Sequence, residues 1–458
     1  MRTLILAAAV AALPLVAHAQ TAPAAPSPAV RAMAAGYKAL TVCSALNNAE
    51  DAGSSRTLES IETNELVGIY PELDGLVRGM PVEVTESAVS VAWDEAMPPR
   101  VATHIRLFGC RIMPVGWAGP GWQMDHEGTR PSAPIFEPAE PAGNVALLDE
   151  AVEQAFEGHR YGEGINTTAV LVLQEGRIVA EEYALGFGPD TPQRTWSVAK
   201  SLAGTVIGAA VQRGEVDVNA RAAIADWTGA RDTSRLDISD SDPRAAITLD
   251  QLMRMASGLT SDTAGNRTDA LYFGGVAVDE QVTTWPLIAP PGTRFRYANN
   301  DILLAILAIR STFSEHPPRE LFDRLGMVDT VAETDWRGNY MLSSQVWSTA
   351  RDLARFGQLY ANDGMLDGER ILPEGWLEYV SRPSGPQPNG AQGYGATFWL
   401  MNNSEGVPAD TISANGNRGQ YVVIVPSRNI VIVRRGEDPA GKGFNVIAFT
   451  RDVLAALD

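Results

Sequence analysis

A chain of 458 residues, 45% hydrophobic and 20% charged, can bury one or two domain cores and is not composed like a disordered protein. Its formal net charge of −19 argues against nucleic acid or an anionic membrane surface as a partner. Positive charge is written almost entirely as arginine, 33 against three lysines, so a lysine at a candidate reactive position carries information.

Residues 1–19 combine Arg2, an apolar run from Leu4 to Ala17 and the small-residue site Ala17-His18-Ala19. This pattern predicts a secretory signal cleaved before Gln20, hence a periplasmic or secreted protein. The run is short for a bilayer, so no membrane insertion is expected after cleavage. Residues 20–36 are rich in Ala and Pro and predict an extended tether. Residues 37–140 mix short strands and turns and end in a Pro/Gly/Trp-rich connector around 113–122, which predicts a small N-terminal subdomain.

That segment holds both cysteines, Cys43 and Cys110. In an exported protein they are expected to pair, closing a loop worth roughly 4 kcal/mol in the chain-entropy model. Neither has a second Cys or a His at ligand spacing, and His18, His104, His126, His159 and His316 are scattered, so neither a metal nor a cofactor is expected.

Residues 141–458 open with an apolar run at 168–173, a Glu175-Gly176 turn and a second strand at 177–180. They close with apolar runs at 420–425 and 429–433 across Pro426-Ser427-Arg428. The intervening patterns are mainly helical. Strands from both ends flanking a helical middle predict an α+β fold: one antiparallel sheet assembled from the two ends, covered by helices.

Within this region Ser197 and Lys200 stand three apart in Arg194-Thr195-Trp196-Ser197-Val198-Ala199-Lys200, at the start of an Ala-rich stretch that reads as a buried helix ending near Gly214. Residues three apart share a helix face, so hydroxyl and amine can meet. The helix N-terminus and apolar neighbours both disfavour the ammonium, leaving a basic amine able to activate the serine without histidine. Arginine could not do this, because its guanidinium stays protonated.

Two further segments supply candidates. A rigid loop beginning Pro290-Pro291-Gly292 leads to Tyr297 and Asn299, and a tyrosine beside a lysine ammonium is expected to have a lowered pKa and to relay a proton. The entry to the last hairpin, Gly416-Asn417-Arg418-Gly419, can present a backbone N–H to a developing oxyanion.

In order and content these pieces resemble the serine hydrolases of the β-lactamase and penicillin-binding-protein fold, in particular class C-like esterases and 6-aminohexanoate-dimer hydrolases. The resemblance covers roughly residues 145–455 and rests on Ser197 to Lys200, residues 252–259, 291–299, 348–357, 363–373 and 416–426. It implies a β-lactamase/transpeptidase-like fold, Ser197 as the acylated nucleophile, Lys200 as its base and Tyr297 as general acid and base. It also implies Asn299 as a contact of the lysine or substrate, and the backbone N–H groups of Ser197 and Asn417 as the oxyanion hole beside Gly416. One departure matters. Relatives that recognise penicillin carry Lys or His two residues before the glycine, where this chain has Ala414; Arg418 is the candidate substitute for seating a substrate carboxylate.

The reading is a hydrolase of a small ester or amide that acts through an acyl-enzyme. The alternatives are a β-lactamase or D-amino-acid peptidase, and a non-catalytic binding protein on the same fold. A Ser-His-Asp hydrolase is disfavoured, because no Gly-Xaa-Ser-Xaa-Gly elbow occurs.

Overall fold

The computed structural model describes residues 25–117, 119, 130–157, 159–228, 242–260, 268–383 and 385–458. The signal expected over residues 1–19, residues 118 and 120–122 of the Trp-rich connector and residues 261–267 lie outside the described residues.

The near-continuous apolar runs at both ends of the catalytic region can be buried only if both faces of their sheet are covered. This is what occurs. Strands β5 (Thr167–Gln174) and β6 (Arg177–Tyr183) join β12 (Gly393–Tyr394), β13 (Trp399–Leu400), β14 (Ile412–Gly416), β15 (Gln420–Val425) and β16 (Ile430–Gly436) in the order β12-β13-β14-β15-β16-β5-β6. Every pairing is antiparallel, and the two ends of the region meet where β16 pairs with β5, Ile432 opposite Val172.

Alternation sorts the side chains. Val170, Val172, Val423 and Ile432 face the helices Val145–Glu157 and Val446–Ala456. Leu171, Leu173, Val422 and Val431 face the larger core, which includes the helices Val198–Gln212, Asn299–Ala308 and Ala350–Ala361. Between the hairpins the chain is mainly helical, interrupted by the short strands β7 (Gln193–Arg194), β8 (Val331–Ala332) and β9 (Val346–Ser348), which form their own sheet in the order β7-β9-β8. A small hairpin, β10 (Met365–Leu366) with β11 (Glu369–Arg370), follows the Ala350–Ala361 helix.

The tether expected over residues 20–36 is not extended throughout. A 24-residue helix starts at Pro28, where Ser27 caps the Val30 N–H and proline occupies the first turn. The alanines read as linker are helix formers with a face to bury. The helix packs on a four-stranded sheet of β1 (Val82–Val84), β2 (Ala88–Val91), β3 (Arg100–Ile105) and β4 (Gly109–Ile112), to which the Cys43–Cys110 disulfide bonds it. Residues 37–140 are no isolated unit: Tyr37, Val42 and Val91 belong to the same contiguous core as Trp196 and Leu202. Gly36 makes the joint possible, since a Cβ there would sit 2.0 Å from the Phe273 carbonyl oxygen. Lys38 is a buried structural cation, bonded to Glu62 and to the carbonyls of Arg78 and Met80, so scarcity alone did not mark a lysine as reactive.

Candidate active site

Ser197 is presented by a strained turn. Trp196 adopts φ +50°, a left-handed conformation costing a non-glycine residue about 1–3 kcal/mol. Packing holds it there, with the indole buried and the Arg194 guanidinium 3.8 Å from its ring centroid. The approach is fixed from below by Arg435, whose buried guanidinium donates to the carbonyls of Gln193, Arg194 and Ser348 and so ties β7 to β9. From Thr191 to Lys200 only Ser197 is not buried. It occupies the N-cap of its helix yet its side chain caps nothing, leaving Oγ available.

Lys200 lies one helical turn on, fully buried, with Nζ 2.9 Å from Ser197 Oγ. Its other neighbours are acceptors: Asn299 Oδ1 at 2.5 Å and the Ser343 carbonyl at 2.7 Å. Burial pushes its pKa down to about 7. In its neutral form the amine can spend its two N–H bonds on those acceptors and turn its lone pair to the serine hydroxyl. Asn299 is oriented in turn by donating to Thr268 Oγ1 at 3.2 Å. The structure brings Ser197 and Asn299 within hydrogen-bonding distance of the Lys200 amine, all three named from the sequence, and adds the Ser343 carbonyl, which leaves no residue signature.

Tyr297 is hydrogen-bonded to Ser197 and to Trp399, and its ring centroid is 5.0 Å from Lys200 Nζ. Indole can only donate, so Trp399 fills an acceptor position on the phenol oxygen and leaves the phenol proton free for the serine side. The expected lowering of its pKa is reversed. Burial pushes the phenol up to about 12, outweighing both hydrogen bonds, and the lysine that was to lower it is itself held near neutrality.

The end of β14 passes over the serine amide: a Cβ on Gly416 would lie 3.2 Å from Ser197 N and 2.4 Å from the Thr195 carbonyl oxygen. Only glycine fits this approach. Asn417 follows in a short 3-10 turn at the rim of the cleft. Arg418 does not face the cleft, and its suggested role as substitute base is corrected. At φ +57° its side chain turns into the protein and donates to Glu437 Oε2 at 2.6 Å and to the carbonyls of Asn64, Val67 and Gly68. Ala414 is buried opposite Val422.

These elements bound a cleft of about 360 Å³ around Ser197. Tyr297, Asn299, Gly416 and Asn417 line it, joined by the aromatics Trp196, Tyr272 and Trp399 and by Tyr70, Asn415 and Tyr421. Phe273, Trp285, Tyr394 and Phe398 are buried and do not line it. Among the described residues, no lining side chain carries a charge.

The Beta-lactamase family model matches residues 151–435. A 6-aminohexanoate-dimer hydrolase of Paenarthrobacter ureafaciens is 29% identical over 334 residues, covering 66% of this chain and 81% of that protein. Among solved structures, a Bacillus anthracis protein provisionally named a 6-aminohexanoate-dimer hydrolase superposes with TM-score 0.54 at 21% identity, over 71% of this chain and 88% of that one. An octameric penicillin-binding protein homologue from Pyrococcus abyssi superposes with TM-score 0.51 at 17% identity, over 68% and 77%. The structural likenesses establish the β-lactamase/transpeptidase fold. The family match spans more than half of the chain, with Ser197, Lys200 and Tyr297 all inside it, and the protein therefore belongs to the Beta-lactamase family as a hydrolase of the serine type.

Proposed function

We propose that the protein hydrolyses a small ester or amide, uncharged around the scissile bond, through an acyl-enzyme on Ser197. The neutral Lys200 amine takes the hydroxyl proton as Oγ attacks the carbonyl carbon. The backbone N–H groups of Ser197 and Asn417 receive the oxyanion. Tyr297, protonated at neutral pH, gives its proton to the leaving alcohol or amine, and the proton gained by Lys200 restores it. Water then attacks the acyl-enzyme by the same path in reverse, releasing the acid.

One observation carries the substrate class: the absence of any charged side chain among the described residues lining the cleft. With Ala414 in the core and Arg418 bonded to Glu437, nothing described there would seat the carboxylate of a penicillin or of a D-amino-acid peptide. The Paenarthrobacter relative, named for hydrolysing a 6-aminohexanoate dimer, supports amides beside esters. A periplasmic or secreted location belongs to the same proposal, supported by the leader-like residues 1–19 and by the Cys43–Cys110 disulfide.

The test compares kcat/KM for short-chain nitrophenyl esters, linear amides and nitrocefin. We expect ester or amide turnover with slow or no nitrocefin cleavage. A preference of about tenfold for nitrocefin, worth some 1.4 kcal/mol in transition-state binding, would overturn the substrate reading.

A further inference from the structure

The cleft is not built from the family region alone. Tyr70 lines it, although the family match begins only at residue 151. Its place is fixed on two sides. The ring meets Trp196 edge-on with centroids 6.3 Å apart, and is backed by Tyr37 at 6.2 Å and Phe273 at 6.3 Å, both buried. The backbone leading to it is held by Arg418, which donates to the carbonyls of Asn64, Val67 and Gly68. Tyr70 itself precedes Pro71 and, at φ −55° and ψ 127°, stays clear of the α region that proline denies its predecessor.

Arg418 directly follows Asn417, so the turn flanking Ser197 and the N-terminal segment 64–70 share one buried side chain. Its charge is met by Glu437, and the Ala440 N–H donates to the Gly68 carbonyl at 2.6 Å, so the loop after β16 grips the same segment. Tyr297 and Trp399, rings 5.3 Å apart, line the same cleft from the family region. A substrate at Ser197 thus meets uncharged aromatic side chains from both parts of the chain, Tyr70 among them.

Resting on the hydrolase reading above, we propose that Tyr70 is a specificity-determining residue: it limits the length of an uncharged alkyl chain that can lie beside Trp196 when the reacting centre is at Ser197. The N-terminal module is in this sense part of the active site. An aromatic face held from behind cannot yield, so chain atoms beyond it meet the ring and lose binding.

The test measures rates of covalent labelling of Ser197 by alkyl fluorophosphonates with ethyl and dodecyl chains, in the full-length wild type, Tyr70→Ala and Tyr70→Trp. The dodecyl-to-ethyl ratio is used because it does not depend on how much protein is folded. Given the tenfold and larger effects of single methylenes in apolar pockets, Tyr70→Ala should raise the ratio about tenfold and Tyr70→Trp should lower it. Should Tyr70→Ala fail to fold, the Tyr70→Trp ratio decides. Labelling at Ser197 with the ratio unchanged, or moved in the opposite direction, overturns the proposal and leaves the hydrolase reading standing. No labelling of wild-type Ser197 by either probe overturns the hydrolase reading, and this proposal with it.

Discussion

Nζ of Lys200 lies 2.9 Å from Oγ of Ser197, inside a helix whose first turn is buried except for that serine. The remaining neighbours of the amine, Asn299 Oδ1 and the Ser343 carbonyl, accept hydrogen bonds and carry no formal charge to hold a proton on it. The contact between the two side chains is therefore arranged for transfer from oxygen to nitrogen.

Lys200→Arg should be nearly as damaging as Lys200→Ala. The guanidinium keeps the charge but cannot accept the proton, and either change should lower kcat by roughly 10²–10⁴. Ser197→Ala should abolish both turnover and fluorophosphonate labelling. Combining Ser197→Ala with Lys200→Ala should add little, because groups that act as a unit are not additive. Near wild-type activity in folded Lys200→Arg would make the lysine a structural cation.

The pH profile follows from the sign of the shift. With the Lys200 pKa pushed down to about 7, the ammonium predominates below that pH and the base is lost, so kcat/KM should fall on the acid side with an apparent pKa near 7. With Tyr297 pushed up to about 12, no alkaline loss from the phenol should appear below about pH 10. A profile flat from pH 5 to 9 would contradict the assignment of the base.

Tyr297→Phe should slow turnover by roughly 10² through loss of the transferable proton. Trp399→Phe removes only the donor to the phenol oxygen and should cost less. The acid limb should stay in place in both variants, since it belongs to Lys200.

Arg418→Met should destabilise the protein by about 3–5 kcal/mol, because it strips the buried Glu437 carboxylate of its partner and removes the guanidinium donor to the carbonyls of Asn64, Val67 and Gly68, of which Gly68 keeps the Ala440 N–H. Denaturant unfolding measures the loss. A selective loss of nitrocefin turnover relative to esters in the folded fraction would show instead that the guanidinium seats a substrate carboxylate.

Protein recovered from the periplasm of an expressing bacterium should begin near Gln20 and carry the Cys43–Cys110 bond, read by mass spectrometry without reduction. Replacing both cysteines by alanine should cost about 2–5 kcal/mol of stability. Because Cys43 and Cys110 belong to the core that also holds Trp196, heat inactivation of the variant should shift together with its unfolding.

What could be read from the chain alone was local or periodic. Ser197 and Lys200 share a helix face through their spacing of three, and the apolar runs at 168–173 and 420–433 become strands of one sheet because alternation in each supplies both covered faces. The glycine at 416 was legible for the same kind of reason, as a residue type suited to close backbone approach. The helix over residues 28–51 was missed because alanine and proline serve both a linker and a helix start, and only the sheet it covers decides between them. Arg418 and Tyr70 depended on tertiary contacts: one turned inward to Glu437 and to the carbonyls of residues 64–68, far off in sequence, the other was carried to the cleft from outside the family region. The rise rather than fall of the Tyr297 pKa was equally a tertiary outcome, since burial is a property of the assembled core and here outweighs every hydrogen bond the motif supplies.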